Sequence, residues 1–132
     1  MFYTINLKTK RRIEAVEIKN HINKIILESK FSSGLCFIYS PHTTSAIMIN
    51  ESFDPAVVDD INYFLSKLAP KEGDYNHLEG NSDAHIKSSL IGPSKTVIVE
   101  NGRLVLGTWQ GIFFLEFDGP RTRTVNVKLI EG

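Results

Sequence analysis

The stretch 95–107, KTVIVENGRLVLG, places two apolar runs on either side of Asn101-Gly102. Asn-Gly between alternating apolar residues is the strongest short-range signal for a two-residue β-hairpin turn. The run TWQGIFFLEF (108–117) follows as a further strand, and RTRTVNVKLI (121–130) comes after a second turn. Strands joined by such short connections pair antiparallel, so the last third of the chain is predicted to form an antiparallel meander.

Helix signals interrupt the strands in the first two thirds of the chain. We predict helices over 20–30, with Asn20 as N-cap, over 54–70, opened by Asp-Pro and closed by a proline, and over 83–92. Four further strands are predicted: 2–8, 13–18, 34–40 and 44–50. Two to three helices combined with antiparallel or mixed, sandwich-like sheets indicate an α+β fold in a single domain, 1–132.

Composition limits the function and the location. The 132 residues carry 15 Lys and Arg against 15 Asp and Glu, and this zero net charge argues against a nucleic-acid-binding protein. No segment is apolar and long enough to be a membrane span or a signal sequence, so we expect a cytoplasmic protein that does not bind a membrane. A low net charge also favours self-association.

Cys36 and Trp109 are both expected to have structural roles. The one cysteine, Cys36, rules out a disulfide scaffold, fits a reducing compartment, and is expected to be a buried, inert thiol. Trp109 is predicted to begin a strand and to lie in the core or an interface, with an aromatic ligand-binding wall as the alternative.

Three histidines are candidate metal ligands. His42, His77 and His85 all fall at the ends of predicted elements or in the polar loop 71–82. Three neutral imidazoles are able to hold zinc or another divalent transition metal and leave one coordination position open. No close histidine pair or HExxH motif is present, so the alternative is three unrelated polar histidines.

Two arginines in the last strand are candidate phosphate ligands. Arg121 and Arg123 share strand parity with the core positions of that strand, so both are predicted to point inward. Two inward cations need counter-charges. They pair with Glu116 and Asp118 as a structural cluster, or they grip a phosphate, and the sequence leaves both alternatives open. The hydroxyls of Thr43 and Thr44 are further candidates for that grip.

Several carboxylates fall near the same predicted helices and strands as the candidate histidines. Asp54 has a sufficient structural role as a helix cap, whereas Glu51 follows a strand and has no local duty. Helical periodicity places Asp60 at the edge of the apolar stripe of its helix, where it is able to reach a cleft, and Asp59 opposite the stripe in solvent. Glu51 and Asp60 are therefore the candidates for acid–base catalysis or for orienting a ligand histidine.

Several motifs together resemble one known family. SKTVIVENGRLVLGTWQGI (94–112), HTTSAIMINESFDPAVVDD (42–60), AHIKSSLIGPS (84–94) and DGPRTR (118–123) are similar, in content and order, to motifs of the secondary thiamine-phosphate synthase family. The resemblance covers essentially the whole chain.

The resemblance implies an α+β homotrimer with a metal, commonly zinc, on the three histidines. It also implies a thiamine-phosphate synthase that joins a pyrimidine pyrophosphate to a thiazole phosphate, with a small phosphorylated metabolite as ligand. The alternatives are a metal-dependent hydrolase of a phosphate-type ester and a non-enzymatic protein that binds a metal or a metabolite.

Overall fold

The computed structural model describes all 132 residues and shows an α+β fold, which confirms the predicted class. Its three helices are α1 (Lys19–Ser29), α2 (Pro55–Leu68) and α3 (Ser82–Ile91). Its eight strands are β1 (Phe2–Lys8), β2 (Glu14–Glu17), β3 (Gly34–Tyr39), β4 (Ser45–Glu51), β5 (Ser94–Glu100), β6 (Arg103–Leu104), β7 (Gln110–Glu116) and β8 (Thr122–Glu131).

The strands form two antiparallel sheets. The larger sheet has the order β1-β8-β3-β5-β6, and the smaller has the order β2-β7-β4. Consecutive strands β3 and β4 belong to different sheets, so the chain crosses from one to the other through residues 40–44. A core of 16 buried side chains lies where the two sheets and α1 meet, with β1, β3, β5 and β8 contributing from the larger sheet.

The smaller sheet is covered on both faces. Ile112 and Phe114 of β7 pack into the main core, while Phe113 and Leu115 join a second cluster with residues of α2 and α3. This alternation follows from the period of two along a strand. It places α2 and α3 against the side of the smaller sheet that faces away from the larger one, where the candidate sites lie.

Local signals in the sequence specify the ends of several elements. The carboxylate of Asp54 accepts a hydrogen bond from the Ala56 N–H at 2.9 Å, as expected for an N-cap, and Pro55 opens α2. Asn101 and Gly102 take positive φ angles of 53° and 72°, as a type I′ hairpin turn requires.

Three boundaries differ from the sequence predictions. The N-cap of α1 is Ile18 rather than Asn20, and it makes no side-chain capping bond. Trp109 lies in the turn before β7 with 56% of its surface exposed, so its assignment to a strand and to the core of this chain was wrong. Arg121 precedes β8, and its side chain is 53% exposed, because the strand alternation that turns Arg123 inward begins only at Thr122.

None of the three helices combines the length and the apolar character that crossing a bilayer requires.

Candidate functional site

His77 and His85 lie together. Their ring centroids are 5.4 Å apart in an edge-on arrangement. His77 comes from the loop before α3, and His85 lies in the first half of that helix. Both line an open cavity of about 470 Å³, together with Asp74, Tyr75, Asn76, Ser82 and Ile86. This histidine pair is therefore accessible and has space beside it for a ligand.

His42 lies elsewhere, just beyond the end of β3. Its Nε2 accepts a hydrogen bond from the backbone N–H of Thr124 at 3.0 Å, and its ring meets Phe114 edge-on. Burial and the nearby Arg123 lower its pKa, so the imidazole is neutral at neutral pH. No group of three or more His, Cys, Asp or Glu side chains in the chain is placed to hold a metal ion. The structure thus brings together two of the three candidate histidines.

Arg123 points inward, as its strand parity predicts, and is engaged by a carboxylate. Its Nε donates to Oε1 of Glu116 at 2.7 Å, and its Nη2 donates to the other carboxylate oxygen and, at 2.8 Å, to Oγ1 of Thr44. Thr9 also donates to Glu116 at 2.8 Å. Burial by itself raises the pKa of Glu116, but these partners and the Asp118 N–H outweigh it and hold the pKa below its ordinary value.

Arg121 is outside this buried network. Its Nη2 donates to Oδ2 of Asp118 at 2.9 Å, and its Nε donates to the Asp118 backbone oxygen at 2.8 Å. Thr43 is exposed in the crossing segment, whereas Thr44 is buried. The two arginines and the two threonines therefore do not converge on one cavity, and both guanidinium groups form the ion pairs that the sequence left as one alternative.

A second candidate site is a cleft beside Glu51. This Glu51 cleft has a volume of about 420 Å³, which is in the range of small-molecule sites. It lies between β2, α2 and the end of β4, and it is lined by Arg11, Ile13, Glu14, Ala15, Glu17, Glu51, Ser52, Pro55, Val58, Asp59, Asn62 and Phe113. Asp60 is not in it, because it borders an apolar groove on the other side of α2.

An aromatic groove adjoins the cleft. Phe53 and Trp109 are both exposed, and their ring centroids are 5.3 Å apart. They line a second cavity with Asp54, and Glu51 and Pro55 border this cavity as well as the cleft. Glu51 therefore stands between a carboxylate-rich cleft and an aromatic surface.

Sequence reasoning missed most of this site. Arg11, Glu14 and Glu17 lie far from Glu51 in the chain and are brought to it by the pairing of β2 with β7. Asp59 was predicted to lie in solvent, and it is exposed but borders the cleft. The sequence feature that could have indicated the cleft is the polar face of α2, where Asp59 and Asn62 are three residues apart on one side of the helix.

Comparison with known proteins assigns the chain to a family. The family model described as UPF0047 protein YjbQ-like matches residues 3–132. The chain belongs to this family. Among curated members of the YjbQ-like family, UPF0047 protein MJ1081 of Methanocaldococcus jannaschii is 55% identical over 98% of this chain and 94% of its own length. UPF0047 protein YugU of Bacillus subtilis is 48% identical over 98% and 99%.

Solved structures of the YjbQ-like family have the same fold. An uncharacterized conserved protein of the YjbQ/UPF0047 family from Clostridium acetobutylicum superposes with a TM-score of 0.95 at 52% identity, covering 97% of this chain and 99% of its own. A YbjQ-like protein of unknown function from Sulfolobus solfataricus P2 gives a TM-score of 0.96 at 31% identity, covering 100% and 97%.

These findings correct the resemblance drawn from the motifs. The family is UPF0047 YjbQ-like, not the secondary thiamine-phosphate synthases, and none of the descriptions above names a synthase, a transferase, a hydrolase or a zinc protein. The expected thiamine-phosphate synthase was therefore wrong, as was the alternative of a metal-dependent hydrolase. The motif likeness therefore predicted neither the family nor the activity correctly.

Proposed function

We propose that the chain binds a small organic cation with a flat ring, using the Glu51 cleft and the adjoining aromatic groove. The observation that carries the proposal is the position of Glu51, which borders both cavities. A molecule that spans them meets carboxylates on one side and aromatic rings on the other. This pairing of surfaces suits an amine or iminium group joined to an aromatic ring.

The charge of the cleft supports a cationic ligand. Four carboxylates line it, those of Glu14, Glu17, Glu51 and Asp59, against the single guanidinium of Arg11. None of these five groups forms a salt bridge within the chain. Uncompensated carboxylates in a concave surface focus a negative potential and raise the local concentration of cations.

The aromatic pair supports a flat ligand. Phe53 is 76% exposed and Trp109 is 56% exposed, although large aromatic side chains usually bury most of their surface. Their tilted rings leave faces open beside Glu51. A ring stacked on Trp109 with a cationic group towards Glu51 would use both surfaces, and each contact contributes roughly 0.5–1.5 kcal/mol.

Ligand titration tests this function. Aromatic amines, aliphatic amines and aromatic carboxylates of similar size would be titrated into the protein by calorimetry or by NMR shift mapping. We expect aromatic amines to bind best, and Glu51→Gln and Trp109→Ala each to weaken them about tenfold or more. Glu100→Gln, an exposed carboxylate outside the cleft, serves as the matched control. Preferential binding of the carboxylates, or affinity unchanged in both cleft variants, would refute the proposal.

A second candidate function rests on the histidine pair. We propose that His77 and His85 bind a divalent metal ion whose remaining ligands come from water and from a second copy of the chain. The 5.4 Å separation of the rings supports this, since two imidazoles this close are able to share one ion after a small rotation. One chain supplies only this pair, so a complete site needs a further ligand, and His42 of a neighbouring copy is our candidate.

Assembly into a homotrimer would supply that ligand. The outward face of the larger sheet carries an apolar row in which Leu35 pairs with Ile98 on one side and with Ile130 on the other. All three side chains are exposed, and β3 runs from this row towards His42. An apolar surface of this kind supports self-association.

We also propose a cytoplasmic location for the protein. Its one cysteine is buried and free, and a free thiol needs no oxidising compartment, which supports this location.

Measurements of metal content and of molecular mass in solution test the shared metal site and the trimer separately. We expect light scattering to show a trimer for the wild type and a monomer for Leu35→Glu, because a charge on the row opposes packing. Elemental analysis should show bound metal lost in His77→Ala, His85→Ala, His42→Ala and Leu35→Glu but retained in His21→Ala. Metal retained in the monomeric variant would refute the shared site, and a monomeric wild type would refute the assembly.

A further inference from the structure

The helix α2 exposes an apolar face on the side away from the Glu51 cleft. Val58 is the one buried residue of this 14-residue helix. Phe64 and Leu68 are 67% and 70% exposed, and with Ile61 and Leu65 they line an apolar groove of about 450 Å³. A helix in a globular protein usually turns its apolar stripe towards the core. An apolar stripe that stays open to solvent in the single chain is typical of an interaction surface.

The apolar residues of this face have the spacing with which one helix packs along another. Ile61, Phe64 and Leu68 are separated by three and then four residues, as in the seam of a coiled coil. Val57, four residues before Ile61, continues the seam towards the start of the helix. Because α2 is about 21 Å long, a second helix lying along the groove would meet an apolar side chain at each turn.

One flank of the seam carries two opposite charges. Asp60 borders the groove from the first half of α2. Lys67 is seven residues further on, which is close to two full turns, so it lies on the same flank. Its Nζ is 4.9 Å from the centre of the exposed Tyr63 ring. Neither Asp60 nor Lys67 forms a salt bridge within the chain, so both charges are free to meet a partner.

This charge pattern is complementary to itself. When two copies of α2 lie antiparallel about a two-fold axis, the same flank of each helix meets from opposite ends. Asp60 of each copy then faces Lys67 of the other, and the symmetry makes two such ion pairs. A parallel arrangement would bring opposite flanks together and place the charges against the apolar Leu65. Charged residues beside an apolar seam set the partner and the orientation of paired helices.

We propose that α2 pairs antiparallel with α2 of a second copy of the chain, with Ile61, Phe64 and Leu68 in the seam and Asp60 of each copy bound to Lys67 of the other. A contact between two helices of this length is smaller than the roughly 1,200 Å² that stable complexes bury at least. The dimer should therefore dissociate on dilution.

The paired helix is compatible with the other surfaces of the protein. Asn62 lines the Glu51 cleft and points roughly 160° away from Phe64 around the helix, so pairing leaves the cleft open. The Leu35 row lies on the larger sheet, so the pairing neither needs nor excludes the trimer. An anionic membrane is a poor alternative cover, because the carboxylate of Asp60 at the border of the groove would be repelled by it.

The molecular mass in solution tests the pairing. Light scattering would be recorded over a wide range of protein concentrations, with circular dichroism to confirm the fold of each variant. At high concentration Phe64→Glu should have half the mass of the wild type, whether or not the trimer also forms. Asp60→Lys and Lys67→Asp should each weaken the dimer about tenfold or more, and the two changes together should restore it. Asp59→Lys, the same change on the cleft side of the helix, is the matched control.

Disulfide cross-linking tests the antiparallel orientation. Asp60→Cys combined with Lys67→Cys places two thiols about 10 Å apart on one helix, too far for a disulfide within the chain. Mild oxidation with copper phenanthroline should link this variant into dimers on a non-reducing gel. Asp60→Cys alone should stay unlinked, because an antiparallel pair places its two copies towards opposite ends of the interface. The native Cys36 is buried and should not react.

Three outcomes would overturn the proposal. Equal masses of the wild type and Phe64→Glu at every concentration would refute the pairing through α2. A dimer that Phe64→Glu disrupts but that neither charge reversal weakens would refute the ion pairs. Cross-linking of Asp60→Cys alone as fast as of the double variant would refute the antiparallel orientation.

Discussion

Glu116 and Arg123 form an ion pair that joins the two sheets. Glu116 ends β7 of the smaller sheet, and Arg123 lies near the start of β8 in the larger one. Their side chains are 0% and 5% exposed, and Thr9 and Thr44 satisfy further hydrogen-bonding positions of the pair. The pair therefore fixes the position of one sheet relative to the other, because its hydrogen bonds are directional whereas apolar packing is not.

Breaking this pair on one side should be costly. Arg123→Met leaves a buried carboxylate without its main partner, and we expect the free energy of unfolding to fall by about 3–5 kcal/mol. Arg121→Ala, which removes the exposed partner of Asp118, should cost less than about 1 kcal/mol. Urea denaturation followed by circular dichroism measures both, and equal losses would contradict the distinction between the two pairs.

Acid should lower the folding stability of the protein by protonating Glu116. Its pKa is lower in the folded state than the value of about 4.3 expected when unfolded, so folding favours the ionised carboxylate. The resulting stabilisation is fully present above about pH 5 and is lost as the pH falls through 4 towards the folded pKa. We expect melting temperatures to drop steeply between pH 5 and 3, approximately. Glu116→Gln should be less stable at neutral pH but show a shallower drop. Parallel curves for the two proteins would argue against this role.

Cys36 should resist thiol reagents in the native state. It is fully buried, and burial raises the pKa of its thiol to about 11, so almost none is thiolate at neutral pH. Ellman's reagent at pH 8 should react slowly with the native protein and at once in denaturant. A rate in native buffer close to the denatured rate would show that the strand around Cys36 opens readily.

Gly34 should not tolerate a side chain. It opens β3 with a φ of +145°, and a Cβ atom there would overlap the backbone oxygen of Ile130 on β8. We expect Gly34→Ala to lower the free energy of unfolding by about 3 kcal/mol or more, from backbone strain together with the clash. Gly107→Ala, where the nearest atom is 3.4 Å away at the end of the Gln110 side chain, is the matched control and should be nearly neutral.

The sequence predicted those features that short-range chemistry decides. Asp54 and Pro55 mark the start of α2 because capping and a fixed φ act over two or three residues. Asn101-Gly102 marks the hairpin for the same reason, and strand parity places Arg123 inward without knowledge of its partner. These features need no information from distant parts of the chain.

The rest of the site depends on which strands pair. Helix and strand periodicity do not reveal that β3 and β4 belong to different sheets, or that His42 lies apart from His77 and His85. Nor do they reveal that β2 lies beside β7, which brings Glu14 and Glu17 to Glu51. Long-range pairing is decided by the packing of the whole core, so the cleft becomes visible only in three dimensions.

The position of β8 has a consequence for biosynthesis. β8 is the last of the eleven elements, yet it lies between β1, the first strand, and β3 in the larger sheet. Until residues 122–131 leave the ribosome, β1 has no partner in its sheet, β3 has one free edge, and Glu116 lacks Arg123. Exposed strand edges recruit other chains. A nascent chain stalled before this strand should therefore depend on chaperones, and synthesis of β8 should act as the cooperative trigger for folding.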